Sequence, residues 1–267
     1  MIRQPTVSGS FYPANPDELS AQLDALLNDE HESRQVKGVI VPHAGYVYSG
    51  AVAGEVFTAA EIPQQVILIG PNHHGTGADI AASGADSWAT PLGNIPIAMA
   101  LRDQLVGNIS ALSVDNQAHT YEHSLEVMLP FLFHRQPKLQ IVPIVLGQLS
   151  LADCLQLGTS IAQTLKTWKE NVLLLASTDM NHFSTAATSE KLDFMAINAM
   201  TAYDPQRLYQ IVRDNHISMC GVLPTITVMQ AAQDLGATTC RLVRYAHSGQ
   251  VNGDNSRVVG YAGLILK

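Results

Sequence analysis

The chain has 267 residues, of which 46% are apolar and only 14% charged, a balance that fills a sizeable core and excludes a disordered chain. Its net charge of −8, with 15 Lys and Arg spread thinly, provides no cationic track for a phosphate backbone and argues against nucleic acid as a partner. No segment approaches the ~18 uninterrupted apolar residues of a membrane helix, the first residues lack a signal peptide's apolar stretch, and 3 cysteines without framework spacing fit reduced thiols; the expectation is a cytoplasmic protein without membrane contact.

In chain order, the first element is a helix. Asn15 is its cap, Pro16 suits the first helical position and Glu18 stands three residues after the cap. Leu19, Leu23, Leu26 and Leu27 share one face, as in a surface helix covering a sheet. Short apolar runs follow, each closed by turn or polar residues: 36–41, 66–69, 139–146, 172–176, 239–245 and 258–266. They lack clean alternation, which suits strands buried on both faces. Helical stretches are expected over 49–60, 151–168 with Ser150 as cap, 190–203 and 205–214 broken at Asp204-Pro205, and 225–235 stopped by Gly236. Alternating strands and helices predict an α/β fold, three-layered αβα, around a largely parallel or mixed sheet. No repeat and no Pro/Ser-rich linker divides the chain, so a single domain over 1–267 is expected.

The polar residues with chemistry sit directly after apolar runs: His43 after the first, His73 and His74 after the second, Asp179 and His182 after the fourth. If those runs are strands of one sheet, their carboxyl ends share an edge, where ligands bind in open α/β sheets. Adjacent side chains of an extended segment diverge, so one of His73 and His74 faces the crevice and the other makes supporting hydrogen bonds. Asp179 and His182, three apart, converge across a turn; the alternative is that Asp179 caps a helix. His119, Glu122 and His123 form an H-x-x-E-H pattern, the basis of a zinc-peptidase reading if 119–123 is helical, although Pro130 limits that helix. Otherwise Glu122, His123 and Glu126 orient other site residues or are solvated. Cys220 precedes a helix start, a place that biases a thiol toward thiolate, whereas Cys154 and Cys240 read as inert core residues. Two His segments with one acidic or soft ligand suit a divalent transition metal: a carboxylate matches non-haem iron, a thiolate shifts preference toward copper or zinc. No G-x-G-x-x-G or Walker loop occurs, so no nucleotide cofactor is indicated.

Arg3-Gln4-Pro5 with Gly9-Ser10-Phe11-Tyr12-Pro13, Pro42-His43-Ala44-Gly45-Tyr46, Gly70-Pro71-Asn72-His73-His74, Glu122-His123-Ser124-Leu125-Glu126, Ser177-Thr178-Asp179 with His182, and Cys220-Gly221 resemble, in order and spacing, the motifs of the Memo-like family. The resemblance implies a fold similar to class III extradiol dioxygenases, which open catechol rings with non-haem iron. It implies His43, His73 and Cys220 as metal ligands, with iron or copper as the metal and zinc as the third candidate. Asp179 and His182 become site neighbours, joined by His123 as candidates for catalysis, while His74, Phe11 and Glu122 complete the cleft. It also implies the setting of bacterial and archaeal members, which accompany a radical-SAM protein in the AmmeMemoRadiSam system, and of animal members that bind phosphotyrosine peptides in the same cleft. Two departures matter: Cys220 stands where the dioxygenases carry a ligating Glu, and Phe11 stands where the family often has Trp. The functional expectations are therefore a metal-dependent redox or oxygenase-type enzyme, or a non-catalytic module taking a peptide or partner protein in that cleft, with the zinc peptidase a lesser third.

Overall fold

The computed structural model describes residues 1–27 and 33–267. Its strands are β1 (Ile2–Arg3), β2 (Gly38–Val41), β3 (Gln65–Pro71), β4 (Ile80–Ala82), β5 (Ser87–Thr90), β6 (Gly93–Pro96), β7 (Ser113–Val114), β8 (Gln140–Leu146), β9 (Val172–Ser177), β10 (His182–Ser184), β11 (Cys240–His247) and β12 (Val258–Leu266). Among the described residues, nine of them form one mixed sheet in the order β10-β12-β2-β9-β3-β8-β4-β7, with β11 paired along β12. The central β2, β9, β3 and β8 are parallel neighbours, with Val41 beside Ser177 and Ile69 beside Ala176. β12 and β4 join them antiparallel.

The absence of polar/apolar alternation in these runs has the expected cause: β2 and β3 are buried along their whole length. The period of two is present nonetheless, because successive residues enter different cores. Ile40, Ile67, Ile69 and Leu174 face one core; Val39, Val41, Val66, Leu68, Leu173 and Leu175 face the other. The helices are α1 (Pro16–Leu26), α2 (Tyr46–Ala59), α3 (Met99–Asn108), α4 (Leu129–Arg135), α5 (Leu151–Thr167), α6 (Ala186–Thr201), α7 (Pro205–Asp214), α8 (Val222–Asp234) and the short α9 (Gly249–Asn252). α2 and α4 supply one core, α3 and α5 to α8 the other, which makes the expected three-layer αβα sandwich.

Local rules explain the helix starts. Asn15 accepts the N–H groups of Asp17 and Glu18, and Ser150 with Asp153 forms a reciprocal capping box. Three expectations need correction. Helix α1 packs its Leu19–Leu23 face chiefly on α2 and α4, so helices are its main partners where the sheet was expected. Helix α6 starts at Ala186, because Thr185 accepts the Thr188 N–H, and not at residue 190. Residues 117–128 form two short 3-10 turns separated by a non-helical stretch, so 119–123 is not the helix that the zinc-peptidase reading requires. No helix of the described residues is long and apolar enough to cross a membrane.

Candidate metal centre

Three adjacent parallel strands deliver one residue each to the same edge. His43 lies two residues past β2, Asp179 two past β9 and His73 two past β3. Neighbouring strands are about 4.8 Å apart, so side chains leaning over the end of β9 meet: the His43 and His73 rings lie 5.2 Å apart, centre to centre.

A fourth segment, 122–126, is bolted across these strand ends. The Ser124 hydroxyl donates to the Pro71 carbonyl (3.2 Å) and the Ser177 hydroxyl donates to the Ser124 carbonyl (2.7 Å). Gly70 permits the approach, since a Cβ there would meet Ser124 Oγ and Leu125 Cδ2 at 2.7 Å. The segment brings His123 beside the other two imidazoles, 5.0 Å from the His73 ring and 5.7 Å from that of His43. One nitrogen from each of His43, His73 and His123 lies within 4.8 Å of the others, a group able to hold a metal ion. His43 is buried, His123 half-buried and His73 exposed, so the group opens outward.

Hydrogen bonds settle which nitrogens are available. The Ser177 hydroxyl proton is committed to Ser124, so Ser177 Oγ accepts from His43 Nδ1 (2.8 Å) and leaves the His43 Nε2 lone pair unprotonated. The Glu122 carboxylate accepts from His73 Nδ1 (2.9 Å) and from its backbone N–H (2.6 Å), which likewise frees His73 Nε2. Glu122 also stands 3.6 Å from His123 Nδ1. A carboxylate behind a histidine is the arrangement that orients ligating imidazoles.

Burial, followed by repulsion from His73 and His123, keeps His43 well below its ordinary pKa and hence neutral. Burial, then His73, also lowers His123. Burial pulls His73 down, but the bonded Glu122 carboxylate reverses this and leaves it raised. Glu122 is opposed by burial yet held at about 2 by the His73 contact and by the Ser124 N–H.

Cys220 stands beside this group, with its thiol donating to His43 Nε2 at 3.4 Å and accepting the Asp179 N–H at 3.3 Å. Gly221 carries the chain so close to β9 that a Cβ would lie 2.2 Å from the Ser177 carbonyl. The expected thiolate bias is absent: burial, then the Asp179 carboxylate, push the thiol well above its ordinary value. Asp179 caps no helix; it accepts the His43 N–H at 2.8 Å and is raised by burial. His182 donates Nδ1–H to the Ser218 carbonyl (2.8 Å), which turns Nε2 free. His74 is turned away, donating Nε2–H to the Tyr121 carbonyl (3.0 Å). His119 is also elsewhere, buried under Trp88 with Nε2 donating to the Ala81 carbonyl, which removes the zinc-peptidase triad.

A cleft of ≈ 350 Å³ exposes the group, lined by His43, His73, His123, Asp179, His182 and Phe11, among others. Phe11 packs its ring edge-on to His123 at 5.1 Å. The larger cleft, ≈ 510 Å³, lies at the opposite ends of the strands and has no His or Cys in its described lining. Sequence reading singled out every imidazole of the centre but missed Ser177, Ser124 and Ser218, whose roles depend on contacts across more than 30 residues.

An αβα sheet with histidines gathered at its carboxyl edge defines a fold class with a metal-competent cleft. The chain belongs to the Memo-like protein family, whose model matches residues 3–265. It is 39% identical to a MEMO1 family protein of Aquifex aeolicus, over 99% of both chains, and 38% identical to one of Methanosarcina barkeri, over 100% of both. An uncharacterized protein of Escherichia coli K12 has a similar fold, with a TM-score of 0.59 at 13% identity, covering 86% of this chain and 99% of the other.

Proposed function

We propose that the chain holds a divalent transition metal, iron or copper, on His43, His73 and His123 and uses it for redox or oxygenase-type chemistry on a small molecule in the cleft. The observation that carries this reading is the tautomer assignment. Ser177 and Glu122 each occupy the rear nitrogen of one imidazole, which leaves Nε2 of His43 and His73 unprotonated beside the ring of His123, with the Cys220 thiol proton on His43 Nε2 as the contact that a metal would displace. Imidazoles beside a thiol form a donor set suited to borderline and soft metals and ill suited to magnesium or calcium. The bound metal would supply Lewis acidity and a redox couple.

The remaining residues have separate tasks. His182 has Nε2 free at the cleft wall and its ring fixed by Ser218, so it can take and return a proton. Asp179 fixes the backbone of His43. Phe11 and Tyr261 add aromatic surface to the cleft beside the group. Elemental analysis of the anaerobically purified protein tests the proposal. About one metal per chain is expected, falling severalfold in His43→Ala and His123→Ala. Cys220→Ser separates the alternative ligand set, since metal loss would make the thiol a ligand and retention would make it a neighbour. Low metal content that is the same in all four proteins sinks the reading.

A further inference from the structure

Phe183 is an aromatic residue that the fold has turned outward. Its side chain is 61% exposed. Its φ is 64°, a left-handed conformation that non-glycine residues rarely adopt and that disfavours bulky ones. The cause is a bulge: His182 pairs with Val259 and Ser184 with Val258, leaving Phe183 as the extra residue of β10. Bulges of this kind favour glycine, recur beside active sites and re-aim a side chain.

The re-aimed ring meets one cation. The Arg257 guanidinium lies over its face, 4.6 Å from the centroid, and has no hydrogen bond or ion pair among the described residues. Val259 and Tyr261 alternate along one side of β12, which begins directly after Arg257. Val259 and Tyr261 line the cleft, as does His182, whose ring is 5.6 Å from Phe183. The cleft lining also includes Val47 and Tyr48 of α2, 64% and 37% exposed. The cleft that holds the histidines thus adjoins, through His182 and Phe183, a stacked guanidinium whose donor edge is unengaged among the described residues.

We propose that Phe183 and Arg257 form a rim subsite for the anionic end of a ligand whose apolar stem runs between Val47, Tyr48 and Val259. A guanidinium stacked on a ring keeps its in-plane N–H fork for two oxygens of a carboxylate or phosphate monoester. The proposal deepens the reading of the cleft as a metal site, and rests on it for the position of the ligand's inner end.

Hexanoate, hexyl phosphate and hexanol, titrated into the isotope-labelled full chain and followed by amide NMR, test it. Both anions should move the His182, Phe183 and Val259 signals and bind roughly tenfold tighter than hexanol, the effect of one charged hydrogen-bonded contact. The tighter of the two anions identifies the headgroup. Phe183→Gly and Arg257→Gln should each weaken the anions severalfold and leave hexanol binding and metal content unchanged. Phe183→Gly should also keep or raise Tm, because glycine relaxes the bulge while an exposed ring contributes little burial; a residue serving the fold alone would lower it. Anions no tighter than hexanol, or undiminished by Arg257→Gln, overturn the subsite. Metal-free protein with an intact rim response strikes only the metal reading, and metal-loaded protein without that response strikes only this one.

Discussion

Glu122 and Glu126 flank His123 on the segment that crosses the strand ends, and Asp179 and Asp193 lie just past β9 and in α6; all four are buried, yet the fold treats the two pairs oppositely. Glu126 is opposed by burial but held below its ordinary value by Arg3 and by the N–H groups of Thr6 and Val7. Tyr12 and the Thr6 hydroxyl complete its shell. Glu122 is similarly saturated and held at about 2. Asp193 has the Asn181 N–H and the Tyr245 hydroxyl as partners and no cation among the described residues, and burial pushes it up to about 7. Asp179 is raised by the same cause. The difference separates carboxylates finished by folding, which fix His73, His123 and the N-terminal segment, from carboxylates with no Lys or Arg partner among the described residues.

The largest break in this comparison is expected from Glu126→Ala. It leaves Arg3, 8% exposed, without its counter-charge and strips acceptors from Thr6, Val7 and Tyr12. Removing one partner of a buried ion pair costs about 3–5 kcal/mol. Urea melts should show a loss of that order, and hydrogen exchange should show residues 1–12 released from the wall that carries Phe11. A loss below about 1 kcal/mol would mean that the N-terminal segment is not held by this carboxylate. Glu122→Gln is expected to act on the metal more than on the fold. The amide keeps one acceptor for His73 but loses the charge that orients and enriches the imidazole, a change worth about 10–100-fold in metal affinity. Competition with a chelator measures it, and unchanged affinity would detach Glu122 from the centre.

The same contrast explains what could be read from the sequence. His43, His73 and Asp179 were legible because each follows a buried apolar run by two residues, and parallel pairing of those runs puts their ends together. The six strand runs and the caps at Asn15 and Ser150 were legible for local reasons. His123 was visible in its motif, but a helical reading of 119–123 paired it with His119. The segment's true path is set by Arg3, Pro71 and Ser177, partners with no periodic trace. Strands β4 to β7 have two to four residues, too few for alternation to show. Cys220 entered chiefly through family resemblance, and the thiolate bias read from its helix-start position did not predict a thiol governed by burial. Whether a buried acid gathers enough donors depends on chain segments over 100 residues away for Glu126 and on α6 packing for Asp193, so neither charge state was legible.

The pair short of positive charge makes a prediction of opposite sign. An acid raised from 3.8 to about 7 in the fold binds more protons folded than unfolded between those values. Stability must then fall as pH rises through that window and be lowest above it. Asp193→Asn removes the ionisation while keeping an acceptor for the Asn181 N–H and a donor for the Tyr245 oxygen. The variant should therefore be more stable than the parent by roughly 1–3 kcal/mol at about pH 8, with the gap narrowing through about pH 5 and closing only near 3.8, below which the parent's acid is protonated in both folded and unfolded chains. Urea melts of both proteins across that range give the gap directly. A constant gap would assign the effect to packing around α6, and a variant less stable at the alkaline end would show that Asp193 has found a cation and belongs with Glu122 and Glu126 on the compensated side.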